Sequence, residues 1–121
     1  MRRHRILAVA LAVALWVWPI PSPHVIARPF VAPVTAYGSG HRGVDIRALA
    51  GAGVRAPAAG VVHFAGMVVD RPVVSIAHGD GVISTLEPVE PLVVEGDIVA
   101  RGQVVGTLLA GHCSTPCLHL G

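Results

Sequence analysis

From Arg28 to Gly121 the chain is interrupted by glycine or proline every few residues, and short β-branched runs fill the intervals. Interior glycine and proline disfavour helices, whereas short Val- and Ile-rich runs bounded by turn residues read as strands. No apolar period of 3.6 residues competes with this pattern. Candidate strands are Val44 to Ile46, Gly53 to Ala56, Gly60 to Ala65, Val73 to His78, Val82 to Leu86, Leu92 to Val94, Val104 to Leu109 and Leu118 to Leu120. Loops are expected at Tyr37 to Arg42, Gly66 to Pro72, Gly79 to Gly81 and Gly111 to Pro116. The predicted fold class is therefore all-β: a compact sandwich or barrel-sandwich of short antiparallel strands.

The residues ahead of this region read differently. Met1 to Arg5 is basic and Ile6 to Trp18 is an unbroken apolar run, the layout of a signal peptide. The run is too short to span a bilayer comfortably. Pro19, Pro21 and Pro23 follow, and Val25-Ile26-Ala27 offers a small-residue cleavage site before Arg28. The expected organisation is a leader over residues 1–27, cleaved or retained as an N-terminal anchor, and one domain over residues 28–121. Both versions place the domain outside the cytoplasm, with contact to the membrane only through a retained leader.

Composition excludes some functions. All nine basic residues are Arg and three of them, Arg2, Arg3 and Arg5, belong to the leader. The domain has no basic patch, so nucleic acid is not an expected partner. Gly51 to Val62 and Gly96 to Gly106 echo one another as paired hairpins, a pattern shared with biotinyl and lipoyl carrier domains. Those domains modify a lysine, and this chain has none. Nothing in the sequence specifies an oligomeric state.

Chemistry concentrates in two places. In Gly40-His41-Arg42-Gly43-Val44-Asp45-Ile46, alternation along an extended backbone puts His41 and Asp45 on one face and turns Val44 and Ile46 to the other. In Cys117-Leu118-His119-Leu120, His119 faces away from its apolar neighbours in the same manner. If the two strands are neighbours, His41, Asp45 and His119 can meet around one ion. Two imidazoles and a carboxylate leave a fourth tetrahedral corner for water, the arrangement of catalytic rather than structural Zn²⁺. Cys113 and Cys117, in an oxidising compartment, read as a disulfide that fixes the segment leading to His119. A reduced Cys117 would instead be a fourth ligand and close the site, giving a domain whose metal only stabilises the fold.

These residues resemble the lysostaphin-type zinc endopeptidases of bacterial cell walls, the M23 peptidases, over about Phe30 to Gly121. Gly40 to Ile46 looks like the family's HxxxD motif, and Val54 to Gly66 resembles its V-x-A-P-x-x-G-x-V strand pair. Ser75 to Gly81 is similar to its HGxG turn, and Gly96 to Gly106 to its GDxVxxGQxxG segment. The resemblance implies His41, Asp45 and His119 as zinc ligands and cross-linking peptides of peptidoglycan as substrate. It also implies a strand beyond Gly121, so the domain reads as truncated at its C-terminus.

The sequence departs from the family at both helper histidines. Cys117 stands where the first His of the closing HxH motif is expected, and Pro88 stands in place of the histidine of the Y-x-H-L segment. Neither replacement can pass a proton as imidazole does. Glu87, beside the lost position, and His112, ahead of the cysteine loop, are the candidate substitutes, each also readable as an ordinary surface residue. His63 and His78 read as structural. Two functions follow: a zinc metalloendopeptidase of the cell wall, or a catalytically degenerate relative that binds peptidoglycan or a partner hydrolase.

Overall fold

The computed structural model describes residues 16–21, 26–29, 43–110 and 116–121. Among them are ten strands: β1 (Ile26–Arg28), β2 (Val44–Arg47), β3 (Gly53–Arg55), β4 (Gly60–Val68), β5 (Arg71–Gly79), β6 (Val82–Glu87), β7 (Val89–Pro91), β8 (Ile98–Val99), β9 (Val104–Leu108) and β10 (Cys117–Leu120). They form a seven-stranded sheet in the order β1-β2-β10-β6-β5-β4-β8 and a three-stranded sheet in the order β3-β9-β7. All pairings are antiparallel. No helix among the described residues is long and apolar enough to cross a membrane.

The core lies between the sheets and follows from strand alternation. Ile46, Leu118, Leu86, Val74, Ile76 and Val62 come from the large sheet, and Val54, Val105, Leu108 and Val89 from the small one. Each is buried, and together they form one apolar cluster. Residues of opposite parity in β2, β10 and β6 face away from this core, and that outer face carries the polar residues considered below.

Two hairpins show how local sequence sets register. Gly79 pairs with Val82 across Asp80-Gly81, both with positive φ (52° and 76°), the two-residue turn that an Asp-Gly pair favours. Val68 pairs with Arg71 across Val69-Asp70, and Val69 takes φ of 60°. A β-branched residue rarely adopts that conformation, so this turn carries no sequence signature. The loop expected over Gly66 to Pro72 is accordingly corrected: β4 and β5 run almost to the tip of a hairpin. Leu92 to Val94 is not a strand either. The chain pairs at β7 just before it and at β8 just after it, and Leu92 and Val94 are exposed. The expected loop at Tyr37 to Arg42 lies outside the described residues.

The proline-rich stretch that reads as the end of a leader packs against the barrel. Ile20 is buried in the core cluster, Arg55 N–H donates to Pro19 C=O at 2.7 Å, and Val17 N–H donates to Pro57 C=O at 2.8 Å. Ile26 and Arg28 pair with Ile46 and Asp45 of β2.

Candidate metal centre

β10 lies between β2 and β6 in the large sheet. His119 is the direct cross-strand partner of Asp45 on one side and of Glu87 on the other. Direct partners in an antiparallel ladder project to the same face about 5 Å apart. Asp45, His119 and Glu87 thus form a row across three strands, and Ile46 and Leu118 behind them anchor β2 and β10 in the core.

The Asp45 carboxylate is buried, 0% exposed, and its Oδ1 lies 2.7 Å from His119 Nδ1. A buried carboxylate is costly unless charge or hydrogen bonding compensates it, and the imidazole Nδ1–H donating to Oδ1 does so. Donor atoms on a tetrahedral zinc, with bonds of about 2.0–2.1 Å, stand ~3.3 Å apart. At 2.7 Å the Asp45–His119 contact is shorter than that separation, so the pair would have to open for both atoms to reach one ion. The donor types, carboxylate oxygen and imidazole nitrogen, suit zinc. Nδ1 is the nitrogen turned to Asp45, which leaves Nε2 on the opposite edge of the ring.

Gly43 fixes that edge. A Cβ at this position would stand 2.9 Å from both His119 Nε2 and Cε1 and would strike the Leu120 carbonyl oxygen. The missing side chain is therefore the seat of the imidazole, a more specific role than leaving room for an ion. Gly43→Ala is expected to displace β10 or the ring, costing about 1–3 kcal/mol as other overpacked sites do. Equilibrium denaturation of the metal-free chain measures it, and an unchanged midpoint would refute the close approach.

Glu87 sits beside His119 but its carboxylate is held elsewhere. Arg71 Nε donates to Glu87 Oε2 at 3.1 Å, with the glutamate side chain 16% exposed. Arg71 also donates to Asp70 Oδ1 at 3.1 Å. Sequence reasoning misses Arg71 because the start of its strand reads as a loop. Among the described residues no three His, Cys, Asp or Glu side chains group closely enough to hold a metal. His41, His112 and Cys113 lie outside the described residues. Cys117 is buried, 1% exposed, and of the same parity as His119.

His63 is exposed on β4. His78 on β5 reaches to both neighbouring strands: its Nδ1–H donates to Ala59 C=O, just ahead of β4, at 2.9 Å, and Nε2 lies 2.7 Å from Ser84 Oγ of β6. Both ring nitrogens are thereby used within the fold.

The sequence pattern of peptidase family M23 matches residues 39–121, the span that contains both strands of the Asp45–His119 pair. The chain belongs to peptidase family M23. It is 41% identical over 107 residues to Uncharacterized protein Rv2891 of Mycobacterium tuberculosis, an alignment covering 86% of this chain and 43% of that protein. Uncharacterized protein Mb2915 of Mycobacterium bovis matches this M23 chain to the same extent. The chain thus spans less than half the length of these relatives. Among solved structures, a zinc-containing peptidase from Vibrio cholerae superposes with a TM-score of 0.67 at 26% identity, over 85% of this chain and 34% of that one. A point mutant of the catalytic domain of the prophage-encoded M23 protein EnpA from Enterococcus faecalis gives 0.69 at 24% identity, covering 87% and 84%. The catalytic domain of lysostaphin from Staphylococcus simulans gives 0.68 at 24%, covering 80% and 77%. The last two likenesses speak to the M23 fold alone.

Proposed function

We propose that this M23 domain is a zinc metalloendopeptidase that acts outside the cytoplasm on the cross-linking peptides of peptidoglycan. The observation that carries this reading is the Asp45–His119 contact of 2.7 Å, formed between residues 74 apart in the chain, on the outer face of the large sheet. His41 joins them as third ligand by its place in the Gly40 to Ile46 motif. When bound, zinc supplies Lewis acidity, polarising a scissile carbonyl and acidifying water.

The chain's own residues supply the rest. Before metal enters, Asp45, screened from solvent, holds His119 through the Nδ1 contact in the orientation that would present Nδ1 to the ion, and Gly43 seats the opposite edge of the ring. Glu87, next to His119 across the ladder and kept in place by Arg71, is the proton acceptor in this reading. It takes over from the helper histidines replaced by Pro88 and Cys117, with His112 as the other candidate. A Cys113–Cys117 disulfide, supported by the absence of a free cysteine among the described residues, would hold the approach to His119.

A second reading draws on Pro88 and Cys117 themselves. Both are buried; proline has no titratable group, and a cysteine held in a disulfide has no proton to exchange with a substrate. A domain with ligands but without helpers would bind peptidoglycan or a partner hydrolase and cleave nothing. The test is incubation of the zinc-loaded chain with isolated peptidoglycan beside an Asp45→Ala control. Catalysis is expected to release new amino termini that the control does not. No release despite one zinc per chain would overturn the enzyme reading and leave co-sedimentation with peptidoglycan as the measure of binding.

A further inference from the structure

Arg71 has more hydrogen-bonding capacity than its ion pair with Glu87 uses. Val74 on β5 pairs with Leu86 on β6, so Arg71 reaches Glu87 along a diagonal of that ladder, a span that a long side chain can cover. Val68, the direct partner of Arg71 on β4, projects to the same face and flanks the stem of the side chain. The guanidinium therefore stands next to Glu87 at the end of the row that begins with Asp45 and His119. Two of its five N–H groups are engaged: Nε donates to Glu87 Oε2 and Nη1 to Asp70 Oδ1, each at 3.1 Å. Among the described residues no other group takes the remaining three, and the side chain is 46% exposed, so a ligand on this face can reach them.

We propose, resting on the enzyme reading above, that Arg71 is a catalytic residue whose guanidinium donates to the oxyanion of the tetrahedral intermediate, a task for which Pro88 offers no donor. In the first step the water oxygen bonds to the scissile carbonyl carbon, the carbonyl π pair moves onto its oxygen, and the water proton passes to Glu87. In the second the carbonyl re-forms, the C–N bond breaks, and Glu87 returns that proton to the departing amine. Before the first step the positive charge of Arg71 is offset by the Glu87 carboxylate at 3.1 Å. Once Glu87 holds the proton it is neutral, and the negative charge resides on the substrate oxygen instead. The guanidinium is thereby released from one anion as the other forms, which makes its attraction stronger in the transition state than toward the bound substrate. Its position is kept throughout, because a protonated carboxyl still offers an acceptor oxygen to Nε. The planar fork allows both contacts at once, as a lysine ammonium would not.

The test uses the full zinc-loaded chain and reads binding as well as turnover. The probe is the phosphinic isostere of alanylalanine, whose tetrahedral phosphorus carries negative charge where the intermediate carries its oxyanion. Calorimetry should show Arg71→Gln binding it at least about 10-fold more weakly than the wild type, at unchanged zinc content. On soluble peptidoglycan fragments kcat should fall by about 10² to 10³, the usual cost of one oxyanion donor, while KM changes less than about 2-fold. In a Glu87→Gln background Arg71→Gln should again weaken the probe by about 10-fold, whereas a residue that only positions Glu87 would cost nothing further there. Equal probe affinity in wild type and Arg71→Gln, with no binding by either counted as equal, would overturn the role of Arg71, as would loss of the effect in the Glu87→Gln background. Release of amino termini by the wild type decides the enzyme reading separately: with release intact and affinities equal, only Arg71 falls.

Discussion

Asp45→Asn is expected to fold and to lose zinc. The substitution keeps the size of the side chain and an oxygen that can accept from His119 Nδ1–H, so the metal-free protein should change in stability by no more than about 1 kcal/mol. A neutral amide, by contrast, is a poor substitute for a carboxylate ligand. Losing a group that merely supports a ligand costs about 10- to 100-fold in affinity, so losing the ligand itself should exceed the upper figure. Zinc at about 100 times its dissociation constant stabilises a folded site by about 2.7 kcal/mol. That increment should raise the wild-type Tm and be absent from the variant. A variant that keeps the zinc-induced shift would show that Asp45 only orients His119.

Glu87→Gln should separate metal binding from catalysis. Glutamine preserves the shape and can still accept from Arg71, and Glu87 is not among the three proposed ligands, so zinc content should remain that of the wild type. The loss of a positioned proton acceptor typically costs about 10² to 10⁴ in rate. Release of amino termini from peptidoglycan should therefore fall by that factor at unchanged zinc occupancy. An undiminished rate would make Glu87 a structural partner of Arg71 and move the proton-accepting role to His112. Because groups that act together do not contribute additively, the double variant with His112→Ala would then be the informative comparison.

The parts of this molecule legible in the sequence are those in which one residue's neighbours decide its direction. Val44-Asp45-Ile46 and Leu118-His119-Leu120 alternate cleanly, and the two strands pair so that Asp45 meets His119, in keeping with the all-β reading. Asp80-Gly81 announces its own hairpin. Where direction is set by distant contacts, the sequence is a poorer guide. Val69 turns a hairpin without a turn residue, so Arg71 and its ion pair with Glu87 stay hidden from a reading of the sequence. Leu92 and Val94 have the composition of a strand but join no ladder, whereas Ile98–Val99 pairs with β4 through two residues only. Ile20 is the sharpest case. Its apolar neighbours suit a membrane as well as a core, and only the three-dimensional fold offers it a buried site among Val54 and Ala56.

Cys117 shows the same limit at the site itself. Its position in the sequence permits either a disulfide with Cys113 or a fourth bond to the metal, and the two choices make opposite kinds of zinc centre. X-ray absorption at the zinc edge of the loaded chain discriminates between them. One ion per chain with only nitrogen and oxygen neighbours at about 2.0–2.2 Å is the expected spectrum of an open site on His41, Asp45 and His119. A sulfur neighbour at about 2.3 Å, or failure to take up zinc at all, would contradict it.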